Sequence, residues 1–271
     1  MVTRRRVEAL RYPRRGSYAE ARDELDRLVR DLASRGKQRL PSEDDLSAYL
    51  GASRPTVRAA LMSLEQEGKL QRLHGLGTYV NRLALDVKAN IAQDRPFLDV
   101  LRSLGHDASV RATSLAEVDA PADVLGRLRL DQPQLAWKIE RLWLASGVPA
   151  VFAIDYIPSR YLSVAREQVA EGDSVFAFIA ANTERTVRYS IADLVPTVAD
   201  DRVVHALKVP QPSAVLLLLH THVDDEDVPV AVTYAYLNDS VVRFAVVRQH
   251  LVSDGVTKEI GERAWRLHEQ L

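Results

Sequence analysis

Between Ser42 and Gly68 the chain writes two short amphipathic helices joined by a single glycine turn, and few arrangements accommodate that pattern. Ser42 caps the first, acids at 43–45 suit its positive end, and Leu46 and Leu50 share its inner face. Leu50-Gly51-Ala52 makes the turn. Ser53 caps the second, Pro55 sits in its first turn, Val57, Leu61 and Leu64 form its apolar stripe, and Gly68 stops it. This is a helix-turn-helix pattern. A longer helix precedes it, opened by the capping box Ser17-x-x-Glu20, carrying Ala21, Leu25, Leu28, Val29 and Leu32, and ended by Gly36. After it, residues 69–73, His74-Gly75-Leu76-Gly77 and 78–80 read as strand, turn and strand, a hairpin wing.

The second helix of such a pair presents its N-terminal residues to base edges in the major groove. Arg54 and Arg58 stand there, four apart and so on one face, and can reach guanine O6 and N7. Ser42, Ser53 and Thr56 are placed for phosphate contacts at helix starts. In the wing, Gly75, Gly77 and Thr78 allow close backbone approach, and His74 can enter a groove; Arg39, Lys69 and Arg72 add positive charge. An arginine pair alone is an ordinary solvated surface; its position at the start of this helix, followed by a wing, makes double-stranded DNA the expected partner. Charge agrees: through Val80 there are 16 Lys/Arg against 11 Asp/Glu, and beyond it 20 against 26. There is no cysteine, which excludes disulfides, thiolate metal sites and cysteine nucleophiles. Met1–Arg6 is basic with no apolar run behind it, and no stretch has transmembrane length, so a cytoplasmic protein without membrane contact is expected.

The rest of the chain changes character. Residues 96–104 read as a helix closed by Gly105. β-branched and aromatic runs follow at 109–118, 135–145, 151–157, 187–198, 215–223 and 230–236, with turns at 146–149 and 224–227. Helical patterns lie at 121–128, 160–169, 174–181, 200–207 and 256–271. Strands joined by hairpins with intervening helices predict an α+β domain with an antiparallel sheet. The expected organisation is a flexible basic arm (1–16), a winged helix-turn-helix (17–80), a linker (81–95) and an effector-binding and dimerisation domain (96–271). Pocket candidates are Arg141 and Trp143, two apart on a strand and suited to an acid on an apolar body; Asp173 and Ser174, at a helix start that can hold an anion; Tyr234 and Tyr236, sharing one strand face as a wall; and Arg243 as a second cation. Alternation puts His220, His222 and Asp224 on one face, a spacing that serves a metal or a pocket wall alike; no metal or cofactor is expected.

The segment 17–80 resembles the GntR family of regulators. The likeness rests on Leu40-Pro41-Ser42-Glu43, Leu46, Ser53-Arg54-Pro55-Thr56-Val57-Arg58, Leu61, Leu64, Glu67-Gly68 and Gly75-Leu76-Gly77-Thr78-Tyr79-Val80. Asp44 departs from it, standing where the family usually has an arginine that touches DNA. From about Pro96 the chain resembles the UTRA effector domain of the HutC branch, through Phe97-Leu98, Leu101, Leu104-Gly105-His106; Ile139-Glu140-Arg141-Leu142; Ser146-Gly147-Val148-Pro149; Asp155-Tyr156-Ile157-Pro158; Asp173-Ser174-Val175-Phe176; Val228-Pro229-Val230; and Val242-Arg243-Phe244. The resemblance implies a chorismate-lyase-like fold, a small-molecule effector and a homodimer. Sugar-phosphate sensors of the branch tend to carry a second arginine where Trp143 stands and a glutamate where Ala231 stands, so a more apolar or aromatic organic acid is expected. The expected protein is a ligand-responsive repressor on an inverted-repeat operator, and not an enzyme. Two alternatives stand beside it: a DNA binder indifferent to ligands, and a lyase-like enzyme fused to a DNA reader.

Overall fold

The computed structural model describes residues 17–73, 75–164, 169 and 172–248. The expected arm at 1–16, His74 and the expected helix at 256–271 lie outside the described residues. The chain divides into two compact units, one holding the described residues up to Val87 with 246–248, the other Lys88–Ala245. No helix among the described residues is long and apolar enough to cross a membrane.

In the first unit, α1 (Tyr18–Ser34), α2 (Glu43–Leu50) and α3 (Arg54–Gln66) pack around Leu25, Val29, Leu46, Val57, Leu61 and Leu64. Each helix starts where its serine predicts: Ser17, Ser42 and Ser53 accept from the backbone N–H of Glu20, Asp45 and Thr56. Gly51 ends α2 in a left-handed conformation, φ 59°, which spares the two-helix turn a Cβ clash. The wing is β1 (Leu70–Leu73) paired antiparallel with β2 (Gly77–Val80), from Leu70 opposite Val80 to Leu73 opposite Gly77. Arg39 bridges Tyr79 on the other side of β2. Part of the expected linker joins this unit: α4 (Arg82–Leu85) places Leu85 in the same core.

The second unit is one six-stranded antiparallel sheet in the order β3-β4-β5-β8-β7-β6. Its strands are β3 (Ala108–Asp119), β4 (Leu135–Ala145), β5 (Val148–Pro158), β6 (Val187–Val198), β7 (Ala214–Asp224) and β8 (Pro229–Leu237). Positive φ at both Ser146 and Gly147 makes the tight β4–β5 turn, whose twist matches the strands it joins. On one face, Phe152, Ile154, Tyr156 and Val232 pack with Val124 of α6 (Ala122–Arg127) and with Val203 and Leu207 of α8 (Asp201–Leu207). The other face carries two apolar clusters. One gathers Trp143, Ala153 and Ala235 under Leu98 and Leu101 of α5 (Phe97–Ser103); the other gathers Ile139, Ile157 and Ala231 under Phe178 and Ile179 of α7 (Val175–Asn182). The helix expected at 160–169 is a 3₁₀ turn at Ser159–Tyr161, after which Leu162 turns extended and bridges Thr183. Residues 165–168 lie outside the described residues.

Candidate functional site

At the start of α3 the Arg54 and Arg58 side chains are 61% and 55% exposed. Both point away from the core because Val57, Leu61 and Leu64 claim the opposite side of the helix. Each meets an acid of α2: Arg54 Nε lies 3.0 Å from Asp44, and Arg58 Nη2 lies 2.8 Å from Glu43. Arg72 reaches the same Glu43 at 3.4 Å. The hydrogen bond from Arg58 holds the Glu43 carboxyl below the usual carboxylate range, with Arg72 and Arg54 adding to it. Ser53 Oγ lies 2.8 Å from Thr56 Oγ1, and Ser42 donates its hydroxyl to Asp45 at 2.7 Å, so these groups are engaged in capping. In the wing, Gly77 has φ 113° and a Cβ there would lie 3.2 Å from Arg39 Nε, so Arg39 runs against the glycine backbone beside Thr78. Arg39 and Gly75 are exposed. His74 lies outside the described residues.

The second site fills the gap between the two clusters on the α5–α7 side of the sheet. It is a cavity of about 100 Å³. Of the expected pocket residues, Trp143 and Ser174 line it. Ser174 caps α7, accepting from Ala177 N–H at 3.1 Å and donating to Asp173 at 3.3 Å, while Asp173 itself is exposed and off the wall. Arg141 lies behind the wall rather than on it. Its side chain is 0% exposed, it is ion-paired with Asp155, and its Nε donates to Gly172 O at 3.3 Å. The pair shows the cavity its carboxylate side, since Asp155 is a lining residue.

Tyr234 and Tyr236 do share a strand face, but it is the other one. Thr233 and Ala235 take the cavity side of β8, so alternation sends both tyrosines to the α6–α8 side. There Tyr234 donates to Asp123 and Tyr236 stacks on Phe152 at 6.4 Å. Arg243 is exposed and donates to Asp239 O at 3.2 Å; its neighbour Phe244 reaches the cavity instead.

Ser190, Asp155 and Thr233, which sequence reasoning did not name as pocket residues, form a polar relay with His222, which it read with His220 as a metal site or a pocket wall and which lines the cavity with it. Thr233 donates to Asp155 at 2.6 Å. Its oxygen therefore accepts from His222 Nε2, 2.9 Å away, which leaves His222 Nδ1 to accept from the Ser190 hydroxyl at 2.7 Å. This is the neutral tautomer. His220 stacks parallel on His222, with ring centroids 5.5 Å apart and planes within 3°, and Phe176 meets His222 edge-on. The alternation of His220 and His222 was the one available signal. Asp224, two further on, turns away to Arg185 and to the N–H groups of Glu226 and Val228. Among the described residues no three His, Cys, Asp or Glu converge as for a metal ion. The residues Ile91–Phe97, five of them expected in the linker, complete the wall.

Burial, and after it the neighbouring His220, push the His222 imidazole from an ordinary value of 6.5 to about 3. A histidine depressed in the folded state stabilises above its unfolded value and loses that contribution as pH falls toward the folded one. Stability is therefore expected to decline below about pH 6.5, by up to about 1.4 kcal/mol per pH unit from this group. Urea denaturation of His222→Gln at pH 7 and pH 5 checks this: the variant should show a shallower loss, and an unchanged slope counts against a neutral His222.

Comparison with known proteins follows the same division. Residues 17–80 match the family described as bacterial regulatory proteins, gntR family, and residues 103–243 match the UTRA domain. The transcriptional repressor NagR of Bacillus subtilis is 24% identical over 204 residues, covering 75% of this chain and 83% of NagR. The histidine utilization repressor of Pseudomonas putida is 32% identical over 170 residues, 54% of this chain and 64% of that protein. In fold, the crystal structure of the possible transcriptional regulator YydK from B. subtilis aligns with a TM-score of 0.68 at 14% identity, over 86% of this chain and 99% of that one. PhnF from Mycobacterium smegmatis aligns with a TM-score of 0.54 at 20% identity, over 86% of this chain and all (100%) of that one.

Proposed function

This chain belongs to the gntR family of bacterial regulatory proteins and carries a UTRA domain, and on that premise we propose that it represses transcription in the cytoplasm, binding an inverted-repeat operator as a homodimer and releasing it under a small organic effector. The observation that carries the DNA-reading half is the exposed, capped start of α3 with Arg54 and Arg58 side by side. Arg39, Gly75, Gly77 and Thr78 in and beside the wing are assigned to backbone contacts, as are Ser42, Ser53 and Thr56. The effector half rests on the lined cavity in the second unit, with Trp143 and Ser174 on its wall. A ligand shifts operator affinity only by its differential affinity for two states, so the cavity must differ between the DNA-bound and released forms. The test is fluorescence anisotropy on inverted repeats selected from random DNA. Specific, salt-dependent binding that a metabolite weakens supports the reading; affinity indifferent to every metabolite supports a ligand-independent binder instead.

The dimer has its own support. β6 ends the sheet, yet Ile191, Leu194 and Val198 on it are 56%, 53% and 68% exposed. A long apolar edge strand invites pairing unless something covers it, and a second copy of this chain is the occupant an inverted repeat requires. Ile191→Asp with Leu194→Asp is expected to turn dimers into monomers by light scattering and to abolish cooperative operator binding. A dimer that persists in the double variant places the interface elsewhere.

A further inference from the structure

The three acids that open α2 are held in different ways. Glu43 spends both oxygens on the protein, Oε2 on Arg58 at 2.8 Å and Oε1 on Arg72 at 3.4 Å. Asp45 turns back to cap its own helix, accepting from the hydroxyl and the N–H of Ser42. Asp44 turns to the neighbouring helix instead, with Oδ1 lying 3.0 Å from Arg54 Nε. Its side chain is 67% exposed against 25% for Glu43, and its second oxygen accepts no hydrogen bond among the described residues. Because the contact is made at Nε, the carboxylate sits on the flank of the Arg54 guanidinium and not across its Nη1–Nη2 fork. That fork is the edge that spans guanine O6 and N7.

An acid on this surface can act on a duplex in two ways. Facing phosphate, it weakens binding to every sequence alike. Facing a base edge, it selects. Arg54 is the first residue of α3, at the end of a recognition helix that meets base edges, and the ion pair carries the carboxylate there with it. As a unit the pair is neutral, which lowers its repulsion from phosphate. In water so exposed a pair holds little, but docking strips its solvent and strengthens it. Flanking the guanidinium, Asp44 is displaced from the guanine that the fork spans, toward the next base pair. A carboxylate only accepts hydrogen bonds. Guanine and thymine offer it acceptors in the major groove, and adenine offers its amino group beside the N7 acceptor. Cytosine offers the N4 amino group with no acceptor on its own edge.

We propose that Asp44 is a specificity-determining residue of the operator contact: it holds Arg54 end-on to a guanine and accepts from the N4 amino group of a cytosine at the neighbouring base pair. The inference rests on the DNA-reading role proposed above for α3.

The experiment is selection of half-sites from randomised duplex DNA by the full-length protein, followed by fluorescence anisotropy on the selected duplexes at two salt concentrations. Ser42 and Asp45 keep the α2 capping box in every variant, so the helix start stays intact. The parent is expected to select a guanine beside a cytosine. Asp44→Ala should cut the preference for that cytosine about fivefold or more and broaden the choice at the guanine. Asp44→Asn keeps the volume but exchanges an acceptor for a donor, the pattern that matches adenine N6 and N7, so the preferred base should move from cytosine to adenine. Variants that keep the parent's base preferences and bind all sequences more tightly, with a steeper salt slope, reduce Asp44 to plain repulsion and overturn the inference alone. A parent that binds specifically without cytosine beside the guanine overturns it as well. A parent with no sequence-specific binding overturns the DNA-reading role, and this inference with it.

Discussion

Asp155→Ala is expected to cost the second unit about 3–5 kcal/mol, the usual consequence of stripping one partner from a buried ion pair. Asp155 and Arg141 are 2% and 0% exposed, and Asp155 also accepts from Thr233 at the head of the relay through His222 to Ser190. The substitution leaves a fully buried guanidinium charge without its carboxylate and takes away the acceptor to which Thr233 donates, so the relay has to re-form through His222. Against a typical total of about 5–15 kcal/mol, that loss brings the unit close to unfolding at ordinary temperature. The double replacement Arg141→Met with Asp155→Leu removes both charges at similar volume and should recover most of the loss, since two desolvated ions gain little over well-packed apolar groups. Urea midpoints of the single and double variants decide it. A single variant within about 1 kcal/mol of the parent means that water or another group already answers Arg141.

That pair also shows where sequence reading stops. Local signals carried well: Ser17, Ser42 and Ser53 cap the helices they precede, because a cap needs only its own next three residues. The antiparallel α+β architecture and the two hairpin turns were equally legible, being set by alternation and turn chemistry. Arg141 was singled out for its charge, but the residue that absorbs that charge sits fourteen positions on, across the β4–β5 hairpin, and residue type says nothing of such a partner. Period two put Tyr234 and Tyr236 together without saying which face of the sheet holds the cavity. Residues 91–95 read as linker because they are mixed and polar; Asn90 pairs with Ala245 and draws that stretch onto the cavity, a long-range contact that no local pattern announces. Asp44 stood out as a departure from the family, and the structure gives it a partner in Arg54.

Arg58→Ala is expected to weaken specific operator binding by about 1–3 kcal/mol and to relax preference at one base pair, the signature of a side chain that reads a base edge. The magnitude has to be weighed against Glu43. In the unbound protein Arg58 is tied to that carboxylate at 2.8 Å, so docking exchanges one hydrogen-bonded anion for another group and recovers only the difference. Exposed pairs of this kind contribute about 0–1 kcal/mol, too little to cancel a bidentate guanine contact but enough to trim it. Glu43→Gln is therefore expected to tighten binding severalfold, and to do so less once Arg58 is gone, when only Arg72 still shares that carboxylate. The coupling separates the two roles open to Arg58. A base contact loses sequence preference with the salt slope nearly unchanged; a phosphate contact loses about one unit of slope and affinity for all sequences alike. Selection from randomised half-sites with Arg58→Ala, repeated at two salt concentrations, distinguishes them, and an unaltered base preference removes Arg58 from the set of residues that read sequence.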